Sequence, residues 1–138
     1  MRIRRVSGLA AGLALTLAVA GCSRDADFTA AVPAAGTVTF KGKPLESGNL
    51  QFIPDKGRSA AGAIKDGKFV LTTYEDNDGA IAGKHTVTVT AYKEVKVKGE
   101  TEPQQVLIID EKYANPTSSG IAIEIPSGGK QDIEIKLD

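Results

Sequence analysis

Between Thr72 and Val89 the chain gathers Glu75, Asp76, Asn77, Asp78 and its only histidine, His85. Carboxylates at that density are what a hard cation such as calcium takes, with six to eight oxygen ligands. A histidine nearby is the side chain that serves as a base or a metal ligand near neutral pH. The spacing argues against both. Glu75-Asp-Asn-Asp-Gly79 lacks the D-x-[DN]-x-[DN]-G order, and no bidentate Glu follows at the required distance. Asn, Asp and Gly are also ordinary turn formers. A turn is the favoured reading, with Glu75, Asp76 and Asp78 as a weak calcium candidate. His85 shares the parity of Val87 and Val89, which predicts a ring packed inward at a strand end with its polar edge toward water.

Other chemistry finds less to work with. A serine triad would need His85 as base beside a nucleophile elbow that the sequence lacks. Carboxylate pairs fall in turns or on polar faces, which leaves glycosidase chemistry without a cleft. Lys93, Lys96 and Lys98 could touch anionic lipid or polysaccharide, but charges there more often keep an exposed strand from pairing with a neighbour. Tyr74, Tyr92 and Tyr113 are the only tyrosines, and so the candidates for stacking on a sugar ring. No cofactor is implied.

Short alternating runs position these residues. Gly36–Lys41 places Val38 and Phe40 on one face, and Asn49–Pro54 places Leu50 and Phe52 inward before Pro54 removes a ladder donor. A small-residue run, Ser59–Lys65, leads into Asp66-Gly67, a strong hairpin signal, and then Lys68–Thr73 with Phe69 and Leu71 inward. Lys84–Lys93 alternates His85, Val87, Val89 and Ala91 with threonines. Gly120–Ile125 and Gln131–Leu137 finish the count at seven strands. No amphipathic helix competes, and the pattern predicts an all-β, seven-stranded antiparallel Greek-key sandwich. The connection from Glu94 to Ser119 is long for a compact domain. Its Val106-Leu-Ile-Ile109 is expected to pack on the sandwich or form a short edge strand.

The first residues read as an address. Arg2, Arg4 and Arg5 precede an apolar run, Leu9 to Val19, too short for the roughly 20 residues that span a bilayer. The run ends Leu17-Ala-Val-Ala-Gly-Cys22, which resembles the lipobox of bacterial lipoproteins. The resemblance implies a signal peptide over 1–21, diacylglyceryl modification of Cys22 and membrane attachment through it. An ordinary signal peptide with Cys22 a free thiol is the alternative. Ser23, where retained lipoproteins carry Asp, favours the outer membrane. Residues 22–35 are expected as a tether and 36–138 as the domain. Cys22 is the only cysteine, so no intrachain disulfide supports the fold. Losing Arg2, Arg4 and Arg5 leaves fourteen basic against seventeen acidic residues, a net charge of −3, which disfavours a nucleic-acid partner.

Gly36-Thr-Val38, Gly42-Lys-Pro-Leu45, Asp66-Gly-Lys-Phe69 and Gly83-Lys-His-Thr-Val-Thr-Val89 resemble the carboxypeptidase regulatory-like domain. Tyr113-Ala-Asn-Pro116 and Thr117-Ser-Ser-Gly120 extend the likeness to small bacterial lipoproteins carrying it. The resemblance implies a transthyretin-like (prealbumin-like) sandwich and a non-catalytic module. His85 stands where that family usually has Tyr. Related hydrolases and intradiol dioxygenases need several histidines, and this chain has one. The expectation is a non-enzymatic, lipid-anchored envelope module with a structural or protein-interaction role, with carbohydrate binding as the alternative.

Overall fold

The computed structural model describes residues 29–138. The segment expected as a signal peptide, Cys22 and the first part of the expected tether lie outside them. The strands are β1 (Ala31–Val32), β2 (Ala34–Phe40), β3 (Lys43–Pro44), β4 (Ser47–Pro54), β5 (Ala60–Lys65), β6 (Lys68–Val70), β7 (Ala80–Ile81), β8 (Gly83–Thr90), β9 (Tyr92–Val95), β10 (Gln104–Leu107), β11 (Ile121–Ile125) and β12 (Lys130–Leu137). The protein is all-β. The seven segments expected as strands line up in one curled sheet in the order β11-β8-β4-β5-β6-β2-β12, with β3 hairpinned onto β2. Consecutive positive φ at Lys41-Gly42 and at Asp66-Gly67 gives the left-handed two-residue turns that match the twist of the strands they join.

Alternation places the apolar side chains on the inside of the curl. Val38, Phe52, Leu71, Val87 and Val89 are fully buried, and Leu50, Phe69, Ile133 and Leu137 nearly so. The rings of Phe52 and Phe69 pack with centroids 6.0 Å apart. From the connection between β10 and β11, Ile109 and Tyr113 drop into the same core. The Tyr113 hydroxyl accepts a hydrogen bond from the Asp138 amide at 3.1 Å and so pins the C-terminus.

Three expectations change. β12 pairs with β2 in parallel, not antiparallel. Ile133, Ile135 and Leu137 point inward in either direction, so alternation alone carries no information on strand polarity. Gly36 permits the pairing, because a side chain there would strike the Ile133 backbone. The tether ends earlier than Ala35. β1 pairs with β7, Ala34 is buried, and its carbonyl accepts from the Leu71 amide at 2.9 Å. Alanines show no visible period, yet their backbone satisfies a ladder as well as any other. Lastly, the strand expected over Lys84–Lys93 breaks at Ala91, beyond which β9 leaves the main sheet and pairs only with β10.

Candidate functional site

The acidic loop is closed around one side chain. Asp78 Oδ1 accepts from the Thr73 amide at 2.7 Å, and Oδ2 accepts from the Tyr74 and Glu75 amides at 2.9 and 3.0 Å. Thr73 Oγ1 donates to the Gly79 carbonyl at 2.8 Å, and the Asn77 amide donates to Thr72 Oγ1 at 3.0 Å. Partial burial works to raise the pKa of Asp78, but the amides of Thr73, Glu75 and Tyr74, with its own, outweigh it and hold the carboxyl below its ordinary value. Glu75 and Asp76 point to solvent. Among the described residues no three His, Cys, Asp or Glu side chains gather around a common point. The carboxylate nearest to a cation ligand is therefore engaged as the acceptor that shapes a turn.

The loop also fixes where the chain enters the fold. Gly79 adopts φ +101°, and a side chain there would collide with the Val32 carbonyl. Its amide donates to the Leu71 carbonyl at 2.9 Å. At the rim the Tyr74 hydroxyl donates to the Thr29 carbonyl at 3.0 Å, and the Arg58 guanidinium lies 5.6 Å from the ring centre.

His85 faces inward as its parity predicts, but its polar edge does not reach water. The residue is 2% exposed, with its ring 5.7 Å from that of Phe52. Nε2 lies 2.6 Å from the Ile81 carbonyl. A carbonyl only accepts, so Nε2 carries a hydrogen. Nδ1 is buried with no hydrogen-bond partner. The imidazole thus ties the β7–β8 corner to the core.

The three tyrosines are not brought together. Tyr113 is 5% exposed, which removes it as a surface contact; its ring closes the core. Tyr74 sits half-buried in the acidic loop ahead of β7, its hydroxyl on Thr29 beside β1, and Tyr92 is exposed just past where β8 ends. β7 and the eight residues of β8 lie between them in the chain. No shared stacking platform exists.

The β9–β10 hairpin is more than the expected edge strand. β9 and β10 form a two-stranded arm, Tyr92 opposite Leu107 and Val95 opposite Gln104. Val106-Leu-Ile-Ile109 does supply a strand, but only Ile109 is buried. Among the described residues the large apolar side chains left exposed are Val70, Tyr92, Val95, Val97, Val106 and Ile108, and five of these six belong to the arm and its continuations. Opposed and alternate residues share a face, so Val95, Val106 and Ile108 line one side of the ribbon. The signal was present as Val95 and Val97 alternating with lysines. A groove runs beside the arm, lined by Tyr92, Lys93 and Glu94 and, across from them, by Leu45, Glu46 and Ser47. Comparison with protein-family models, curated proteins and solved structures finds no match for the chain.

Proposed function

We propose that the chain is an exported envelope module, anchored by lipid on Cys22, that works through protein contacts made by its β9–β10 arm and not by catalysis. The observation that carries the reading is the concentration of exposed apolar side chains in that one hairpin. Contiguous exposed apolar surface on an otherwise polar exterior marks an interaction site. The likeness to carboxypeptidase regulatory-like domains and the sequence ahead of Cys22 support the same reading. On it, the curled sheet is a seven-stranded Greek-key sandwich of transthyretin-like type. The polar groups that chemistry would use have structural employment instead, Asp78 within its loop and His85 in the core.

The anchor would orient the arm. Thr29 stands seven positions after Cys22, a reach of at most about 25 Å. Thr29 lies just ahead of β1, which pairs with β7 immediately before β8, and the arm follows the far end of β8. A lipid on Cys22 would therefore attach the chain at the end of β8 opposite the arm.

The test is photocrosslinking in intact cells from Val106, with Glu124 on the sheet as control, in the wild-type chain and in Cys22→Ala. Adducts from Val106 alone, with Cys22→Ala shifted out of the membrane fraction, are expected. Equal labelling from both positions refutes the arm, and a membrane-bound, fully processed Cys22→Ala refutes the anchor.

A further inference from the structure

We propose that the arm's partner is a second copy of this chain, added antiparallel along the unpaired edge of β9 and centred on Val95. This deepens the interaction reading above and rests on it. β9 hydrogen-bonds to β10 on one side only. Tyr92, Lys93 and Glu94, successive residues of β9, line the groove beside the arm together with Ile108, and among the described residues the edge of β9 away from β10 carries no strand. That edge is where another extended segment adds its ladder. β9 stops at Val95 because Pro103, next in register opposite Lys96, has no amide hydrogen to continue the pairing with β10.

Charge selects the occupant and the register. To keep both apolar stripes on one side of the joint ribbon, residues of like parity must oppose each other. The two-fold axis then passes at a residue. Centred on Lys93, Glu94 or Lys96, that residue faces its own copy, and like charges meet. Centred on Val97, Lys96 faces Lys98. A centre at Tyr92 would set the partner against Thr90, which β4 already pairs, and of the centres from Lys93 to Val97 only Val95 avoids every like-charge pair. Val95 then meets Val95, and Glu94 meets Lys96 twice, by symmetry. Among the described residues neither Glu94 nor Lys96 has an ion-pair partner within its own chain. A strand protected against pairing carries one sign of charge so that copies repel. Glu94, interrupting Lys93, Lys96 and Lys98, reverses that effect in this one register and makes the edge complementary to itself.

The experiment measures association of the purified full chain in detergent by light scattering, across a concentration series. Wild type should dimerise. Glu94→Lys sets an introduced lysine opposite Lys96 of the other copy, and Lys96→Glu sets an introduced glutamate opposite its Glu94. Each should weaken association at least about tenfold. Combining both changes in one chain should restore it. Mixing the two single variants should also produce a heterodimer, since the introduced lysine of one then meets the introduced glutamate of the other, and the two unchanged residues pair as before. Circular dichroism of each variant alone shows that it folds. A wild-type chain that stays monomeric overturns the proposal. So does association indifferent to the swaps, as shared micelles or another interface would give, or two folded single variants that fail to pair when mixed. None of these outcomes bears on anchoring through Cys22, which fractionation reads separately.

Discussion

Replacing Asp78 by Asn tests whether the acidic loop is a turn built on one carboxylate. The carboxylate offers two acceptor oxygens, one taking the Thr73 amide and the other the Tyr74 and Glu75 amides. A carboxamide offers one oxygen. In its better orientation it keeps the Tyr74–Glu75 pair and turns an NH₂ toward the Thr73 amide, donor against donor. One charge-assisted bond is lost, and the other two fall to neutral strength. Charged bonds contribute about 1.5–3 kcal/mol net and neutral ones about 0.5–1.5. Because the loop is only partly buried, water re-solvates part of what is lost, and the cost comes to about 2 kcal/mol. At about 4 °C per kcal/mol for a domain of this size, the melting temperature should fall by about 8 °C at pH 7.

The pH dependence supplies the sharper arm of that test. The folded-state pKa of Asp78 lies below its unfolded value, so its stabilisation is complete above the unfolded pKa. It is lost as pH falls through the depressed folded value. The wild-type advantage over Asp78→Asn should therefore be constant from neutral pH down to about 4 and shrink below that. Thermal unfolding of both full-length chains along a pH series measures it. Equal melting temperatures at pH 7, or an advantage undiminished in strong acid, would refute the reasoning. Millimolar calcium should leave the wild-type curve coincident with that in EDTA, since a cation would have to compete with three amides for Asp78.

Two further outcomes follow from packing. Phe69→Ala removes a ring that is 3% exposed and stacked near Phe52. It should cost about 3–5 kcal/mol of a total near 5–15, and an unchanged denaturant midpoint would place Phe69 outside the core. Gly79→Ala must put a methyl into the Val32 carbonyl at a left-handed φ, so hydrogen exchange at Ala31 and Val32 should accelerate before the main sheet opens; uniform protection would show that β1 does not depend on the loop.

The strands were legible because burial on one face imposes a period of two. Phe69 with Leu71 obey it, with Val70 exposed between them, and Val87 with Val89 obey it although Thr88 between them is covered as well. Strand polarity was not legible, since Ile133, Ile135 and Leu137 would bury equally well in either direction beside β2. Tyr113 misled for a different reason. An aromatic in a polar stretch, Glu111-Lys-Tyr-Ala-Asn-Pro116, reads as exposed. In the fold a single turn of 3₁₀-helix aims it into the core, where the Asp138 amide becomes its partner. His85 was placed correctly by parity. That its Nε2 would meet the Ile81 carbonyl rather than water depended on the β7–β8 corner, which no local pattern announces.

The acidic loop and the arm show the same ambiguity from opposite sides. Asp, Asn and Gly suit a cation loop and a tight turn equally, because both need carboxylates and left-handed backbone in a short span. What separates them is the direction of the amide hydrogens. In Thr73–Glu75 three of them converge on Asp78, doing from within the chain what a cation would do from outside. In the arm, alternating valine and lysine suits both a guarded edge and a pairing edge. There the deciding residue is Glu94, because a guard must repel its own copy, and a strand with Glu94 two residues before Lys96 attracts it. Residue type narrows each case to two readings, and the geometry of donors or the order of charges chooses between them.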